Sequence, residues 1–187
     1  YPDMEVLKNL LDIRDSKKLQ QAESDYVTLR LSEIAEDGRM IGLYDFAALC
    51  RIHYRIFQDI YEWAGKIRII NIEKAEDALN GISVEYSDVF DTKRDAESAL
   101  KKMRTFRWQD ASMDEAAERF SDYMAELWKA HPFREGNTRT VVTFCAMFIE
   151  EQGIYIDSGL FKDNAEYMRD ALVAASAIFS DLGDRRK

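Results

Sequence analysis

Hydrophobic residues recur at spacings of three and four along most of the chain, and this period predicts a mostly helical protein. Only eight glycines and two prolines interrupt the pattern, without an internal repeat or a low-complexity linker. The expected fold class is therefore all-α. The helices are predicted near residues 7–36 (one or two helices), 46–64, 96–103, 113–130, 138–152 and 164–179.

Candidate capping residues mark the starts of several of these helices. A side-chain oxygen at such a position accepts a hydrogen bond from a free N–H group in the first turn. Asp15 or Ser16, Asp45, and Ser112 in a capping box with Glu115 are the candidates. Gly65 is the expected stop of the second helix.

One region has a different period. The run IRIINI (67–72) is short and β-branched, and GISVEYSDV (81–89) alternates apolar with polar residues, which predicts two arms of a β-hairpin. A hairpin of this size is marginal alone, so it must pack on the helices or receive a partner strand. The alternating residues are Ile82, Ser83, Val84, Glu85 and Tyr86.

Composition narrows the range of partners. The 26 basic residues are outnumbered by 35 acidic ones, giving a net charge of -9, so nucleic acid is not an expected partner, although a local cationic pocket for a nucleotide is compatible. No apolar run approaches the ~20 residues of a membrane helix, so a membrane is not expected either.

Cys50 and Cys145 lie in apolar helical patterns, typical of buried free thiols in a reducing compartment. No leader-like segment opens the printed sequence.

The chemistry is concentrated in HPFREGNTR, residues 131–139. Gly136 and Asn137 tolerate backbone angles that would turn their amides inward as an anion-binding nest, where the next helix presents free N–H groups. Arg139, in the first turn of that helix, is poorly placed beside the positive end of the helix dipole unless an anion is present. Glu135 could bridge a Mg²⁺ ion to phosphate oxygens. The combination predicts a Mg-nucleotide site.

Histidine 131 is the candidate general base. We expect Pro132 to hold it extended, Phe133 to anchor it in the core, and its imidazole to titrate near neutrality. A plain polar loop with a helix cap is the simpler alternative. Zinc is disfavoured because the proline breaks a helical pairing with Glu135 and no further His or Cys is near. His53 lies in an apolar stripe and is interpreted as a core histidine.

The motif resembles the signature HPFx(D/E)GN(G/K)R of Fic-domain proteins, the Fic/Doc superfamily, and matches it except at Thr138. Residues 42–68 resemble the family's helix before its hairpin, and residues 1–15 resemble the opening of stand-alone Fic toxins and of secreted effectors. The resemblance implies a Fic fold, a helical core with a small β-hairpin flap. It divides the chain into an N-terminal helical extension, 1–37, and a Fic domain, 38–187, with the flap near 67–88.

The resemblance also implies an activity, the transfer of AMP from ATP to a hydroxyl group of a target protein with Mg²⁺ as cofactor. His131 would be the catalytic base and Glu135 the metal ligand. Gly136, Asn137, Thr138 and Arg139 would bind ATP, and Ile82 to Tyr86 would clamp a target segment by strand addition. Known targets in the family include topoisomerase subunits and small GTPases, and the resemblance leaves both classes open.

Two departures keep alternatives open. Thr138 replaces Gly or Lys, and Val142 stands where many members carry a second arginine. Gly136 and Thr138 differ from the related Doc-like protein kinases, so AMP transfer is favoured over phosphorylation; a catalytically inert interaction module is the third hypothesis. Ser32–Asp37, SEIAED, only nearly fits the family's inhibitory motif, so a separate small antitoxin is expected. The expected location is the bacterial cytoplasm, or a host or recipient cell after translocation.

Overall fold

The structure is a computed structural model and describes residues 1, 6–37 and 43–184. Within these ranges the chain is helical, as expected, and short 3₁₀ turns lie at Asp77–Leu79 and Trp108–Asp110. The expected domain boundary at residue 38 lies outside the described residues. The α-helices are α1 (Ser16–Asp37), α2 (Phe46–Phe57), α3 (Thr92–Thr105), α4 (Met113–Ala130), α5 (Asn137–Glu151), α6 (Ser158–Asp163) and α7 (Ala165–Asp184).

Asp15, Asp45 and Ser112 are confirmed as capping residues. Asp15 accepts the Lys18 N–H at 2.9 Å, Asp45 accepts from Ala48 at 2.8 Å, and Ser112 accepts from Glu115 at 3.2 Å. Each bond satisfies one of the donors that a helix leaves free at its start. The side chains of these capping residues, each directly before the helix, therefore mark where α1, α2 and α4 begin.

Other boundaries differ from the sequence expectation. The first helix is single and begins at Ser16 rather than near Leu7, and α6 had no sequence prediction. The second helix ends at Phe57, and turns rather than helix lead to Gly65. Gly65 has φ of 75°, and a Cβ there would lie 2.9 Å from the Tyr54 Cβ. Glycine is thus required by a close approach of the chain to α2, not by a helix stop.

The helices pack into one core that holds the loop between α4 and α5. Helix α2 contacts both α1 and α5, while α4 contacts α3, α5 and α7. Each large apolar side chain buried in this way stabilises the fold by roughly 1.5–3 kcal/mol. The largest of the fully buried side chains include Trp128, Phe57, Phe133 and Phe144. No helix in the described ranges is long and apolar enough to cross a membrane.

The flap segment, residues 67–88, is not the β-ladder that the sequence predicts. Its one described bridge pairs Glu76 with Ile82 across the turn at 77–81. Other backbone groups bond elsewhere: the Lys74 N–H donates to Ser83 Oγ at 3.0 Å, and the Ser87 N–H donates to the Lys129 carbonyl at 3.3 Å. The segment is therefore held by bonds to a helix and to side chains and by one bridge, without a β-ladder.

Candidate active site

The motif connects α4 to α5 through a tightly bonded loop. The Asn137 side chain accepts the Phe133 N–H at 2.9 Å and donates to the Phe133 carbonyl at 2.7 Å, which closes the turn. Phe133 is fully buried, as expected for an anchor. The side chain of Asn137 therefore shapes the loop, and its backbone N–H lies at the start of α5.

Glycine 136 is required for two independent reasons. Its φ is 79°, in the left-handed region, and a Cβ built on it would lie 2.2 Å from the Phe57 Cζ. Phe57 is fully buried and cannot easily move away. The structure gives the first turn of α5 no side-chain cap at Gly136, so this end of the helix lacks the usual internal acceptor.

His131 is not extended, contrary to the sequence expectation. Its φ and ψ of 47° and 57° are left-handed, and its N–H bonds to the Trp128 carbonyl as α4 ends. This conformation costs about 1–3 kcal/mol for a non-glycine residue and persists where surrounding contacts impose it. Arg68 supplies such contacts. Its side-chain Nε donates to the His131 carbonyl at 2.8 Å, and its backbone N–H donates to the Pro132 carbonyl at 2.9 Å.

The imidazole of His131 is buried beneath an aromatic cover. Its ring stacks on Tyr86 at 3.9 Å and meets the edge of Trp128 at 5.4 Å, leaving only 3% of the residue exposed. Neither ring nitrogen has a hydrogen-bond partner among the described residues. Burial, reinforced by the charges of Lys74 and Arg68, lowers the pKa of His131 well below 6.5. The expected titration near neutrality is therefore wrong, and the neutral, proton-accepting form dominates at physiological pH.

Glu135 is ionised and already faces a cation. The Lys74 ammonium donates to Oε2 at 2.9 Å, and the Gly136 N–H donates to Oε1 at 2.9 Å. Burial alone would raise the pKa of Glu135, but Lys74, the Gly136 N–H and the charge of Arg139 outweigh it, and the net shift is downward. A partly buried carboxylate kept in its charged form is chemically suited to Mg²⁺.

The core interpretation of His53 is confirmed, and the residue also supports the site. Its Nδ1 accepts the Gly65 N–H at 2.8 Å, so Nε2 carries the proton and donates to the Glu135 carbonyl at 3.0 Å. The ring stacks on Phe133 at 3.9 Å. Burial lowers the pKa of His53 to about 4. A neutral histidine thus fixes the backbone on which Glu135 is mounted.

The side chains of Thr138 and Arg139 both have protein partners. Thr138 Oγ1 accepts the Trp128 indole N–H at 2.9 Å, which joins the start of α5 to the end of α4. Arg139 donates to Glu23 of α1 at 2.5 Å and lies over the Phe57 ring at 4.8 Å. Helix α1, which was expected to belong to an N-terminal extension, therefore contributes to the site.

The flap residues divide into two groups. Val84 and Tyr86 are buried, Tyr86 directly against His131, whereas Ile82 is 69% exposed and Glu85 is exposed. Ser83 is half-buried. The alternation read from the sequence correctly places Val84 and Tyr86 on one face, but Ile82 does not share it. Ile82 and Glu85 are therefore the two residues between 82 and 86 that face solvent.

The Fic/DOC family model matches residues 43–149, more than half of the chain, including the motif and the flap segment. The chain belongs to the Fic/DOC family. The protein adenylyltransferase VbhT of Bartonella schoenbuchensis is 34% identical over 156 residues, which are 83% of this chain but only 31% of VbhT. The probable protein adenylyltransferase y4lH of Sinorhizobium fredii is 32% identical over 157 residues, or 84% of this chain and 77% of that protein.

Solved structures of similar fold include BepC, a VirB-translocated effector of Bartonella tribocorum with bound AMPPNP. It superposes with a TM-score of 0.72 at 23% identity, covering 86% of this chain and 80% of that one. At this identity the likeness extends to the fold. This chain is a Fic fold in which the flap segment lacks a β-ladder.

Several residues of this Fic site were missed by sequence reasoning. Arg68 donates to the carbonyls of Ile70 and Ser87 and to Thr92 Oγ1, besides that of His131. Glu76, buried, accepts the Tyr86 hydroxyl at 3.0 Å and pairs with Arg169 of α7. In the sequence, the only local sign that Arg68 has a special role is its position as a charged residue inside an otherwise apolar run. The sequence around Arg169 contains no such sign.

Proposed function

We propose that this protein is a protein adenylyltransferase, which transfers AMP from ATP to a hydroxyl side chain of a target protein. The observation that carries the proposal is the loop between α4 and α5, which places an unpartnered neutral imidazole and an ionised carboxylate next to an uncapped helix start. The relatives named protein adenylyltransferases support the same chemistry. Because the chain spans less than a third of VbhT, the proposal concerns this Fic domain.

The residues of the loop fit a magnesium nucleotide. Glu135 would hold the metal, since its carboxylate is ionised and already pairs with the Lys74 ammonium. Mg²⁺, when bound, would neutralise charge on the phosphates. The N–H groups in the first turn of α5 lie at the positive end of the helix dipole and suit phosphate oxygens. One N–H group of Arg139 bonds Glu23, and its other N–H groups would bind the outer phosphates.

His131 would act as the base in the transfer. The target hydroxyl oxygen attacks the α-phosphorus of ATP, its proton passes to the imidazole, and the bond to the leaving pyrophosphate breaks. The low pKa of His131 keeps the imidazole neutral and ready to accept. Since both ring nitrogens of His131 are buried and Tyr86 covers one face of the ring, we infer that the flap segment shifts when a hydroxyl reaches the imidazole.

We infer that the flap segment also selects the target. Ile82 and Glu85 present exposed side chains on the segment that covers His131, and a target segment would add beside it as a strand. A topoisomerase subunit and a small GTPase are the two target classes inferred from the family. We further propose a small inhibitory protein supplied as a separate chain. The protein would act either in the bacterial cytoplasm or in a recipient cell after translocation, and the similarity to BepC, a VirB-translocated effector, supports the second location.

Labelled ATP tests the proposal. The protein is incubated with Mg²⁺ and a bacterial or host lysate, using ATP labelled either at the α-phosphate or at the γ-phosphate, and His131→Ala serves as the control. We expect α-label on a protein band with the wild type and none with His131→Ala. γ-Label that appears with the wild type and not with His131→Ala, without α-label, would indicate a kinase. Identical γ-labelling by both proteins with no α-label from either would indicate an inert module, and equal α-labelling by both proteins would rule out His131 as the base.

A further inference from the structure

Lysine 74 is the cation of the flap segment that pairs with the carboxylate of the site. Its ammonium donates to Glu135 Oε2 at 2.9 Å, and the two side chains are 23% and 32% exposed. Its backbone N–H is fixed by Ser83 Oγ at 3.0 Å. The charge of Lys74 acts on both the candidate base and the candidate metal ligand, and it lowers the pKa of His131 and that of Glu135.

Three other cations near the site take part in structural bonds. Arg68 is buried and bonded to several backbone carbonyls. Arg169 is paired with the buried carboxylate of Glu76. Arg139 is paired with Glu23 and packed on Phe57. Moving Arg68 or Arg169 would leave buried acceptors without donors, which is costly.

Lys74 is bound differently. Within the described residues its ammonium has Glu135 as its hydrogen-bond acceptor, and both groups are partly open to solvent. An ammonium carries three N–H donors on a flexible stem. A metal ion held by Glu135 would compete with Lys74 for the same carboxylate oxygen. Phosphate oxygens brought in with the metal would offer alternative acceptors to the released ammonium.

We propose that Lys74 is a nucleotide-binding residue of this site, which moves from Glu135 to a phosphoryl oxygen when a magnesium nucleotide binds. The inference rests on the proposed function in that it takes the ligand to be a nucleotide with its phosphates at the start of α5. Lys74 would then couple the flap segment to nucleotide occupancy. The competing explanation is a purely structural ion pair that fastens the flap segment to the loop.

Binding measurements separate the two explanations. The full chain is titrated by calorimetry with Mg²⁺-AMPPNP and with adenosine, as wild type, Lys74→Ala and Lys74→Gln. Lys93→Ala is the matched control, because Lys93 also pairs with a glutamate, Glu97, but on an exposed surface. We expect Lys74→Ala and Lys74→Gln to weaken Mg²⁺-AMPPNP by about tenfold to a hundredfold, as for loss of a charge-assisted bond. Adenosine binding and the control should change less than about twofold.

Three results would overturn the assignment. The first is that both Lys74 variants bind Mg²⁺-AMPPNP with the affinity of the wild type. The second is that the variants lose affinity for adenosine and for Mg²⁺-AMPPNP equally. The third is that the wild type does not bind Mg²⁺-AMPPNP. Urea unfolding of each variant checks that it is folded. Suppose that the Lys74 variants bind the nucleotide as tightly as the wild type and still transfer AMP. This result would refute the role of Lys74 and leave the proposed function intact. Lys74-dependent binding without any transfer of AMP would refute the proposed function and leave the assignment intact.

Discussion

Replacing Gly136 by alanine tests how the loop is held against the core. The left-handed φ of 79° would cost alanine roughly 1–2 kcal/mol. The new Cβ would lie 2.2 Å from the Phe57 Cζ, and relieving such overpacking costs about 1–3 kcal/mol. Because Phe57 is fully buried, the two costs should add. We expect the free energy of unfolding to fall by about 2–5 kcal/mol.

Gly153 provides the matched control. Its φ is 83°, and nothing lies within 4 Å of its hypothetical Cβ, so Gly153→Ala carries the backbone cost without the clash. Both variants are unfolded in urea, and an unchanged slope shows that only stability has changed. Phe57→Leu, which removes the clashing atom, should recover at least about 1 kcal/mol when combined with Gly136→Ala, measured as the coupling of a double-mutant cycle. Equal losses for Gly136→Ala and Gly153→Ala, or no coupling, would refute the packing argument.

The remaining predictions concern the residues that support the site. Arg68→Ala should destabilise the protein by about 3 kcal/mol or more in urea, because it strips donors from several carbonyls; a loss no larger than that of the surface variant Arg94→Ala would contradict this. Thr138→Val should cost about 1–2 kcal/mol by leaving the Trp128 indole N–H unpaired, whereas Thr138→Ser should be near neutral. The lowered pKa of His53, about 4 against 6.5, contributes stability above pH 6.5 that is lost as the pH falls, about 3 kcal/mol by pH 4. An NMR titration should find this imidazole neutral at pH 5.5, and a midpoint near 6.5 would disprove the shift.

Features that depend on residues close in sequence could be predicted. The caps at Asp15, Asp45 and Ser112 each involve a donor three residues away, and the end of α4 before Pro132 is a local steric effect. The motif likewise indicated Glu135 and the glycine turn, because their chemistry lies within one loop. Local rules therefore gave most of the helices and the composition of the site.

The missed features depend on contacts between distant parts of the chain. Glu23 is separated from Arg139 by 116 positions, and Glu76 from Arg169 by 93, and neither pair leaves a detectable spacing in the sequence. The same cause explains the errors at His131. Its backbone is set by Arg68, and its lowered pKa follows from burial under Tyr86. Propensity before proline and the ordinary pKa of histidine were overridden by tertiary packing.

A crystal structure of the full chain with Mg²⁺ and AMPPNP tests most directly whether the loop between α4 and α5 is a nucleotide site. We expect phosphate oxygens on the first-turn N–H groups of α5, the α-phosphate beside His131, the metal on Glu135 and Lys74 turned toward a phosphate. Nucleotide bound with its phosphates away from the start of α5, or a loop left empty at a saturating concentration, would contradict the assignment.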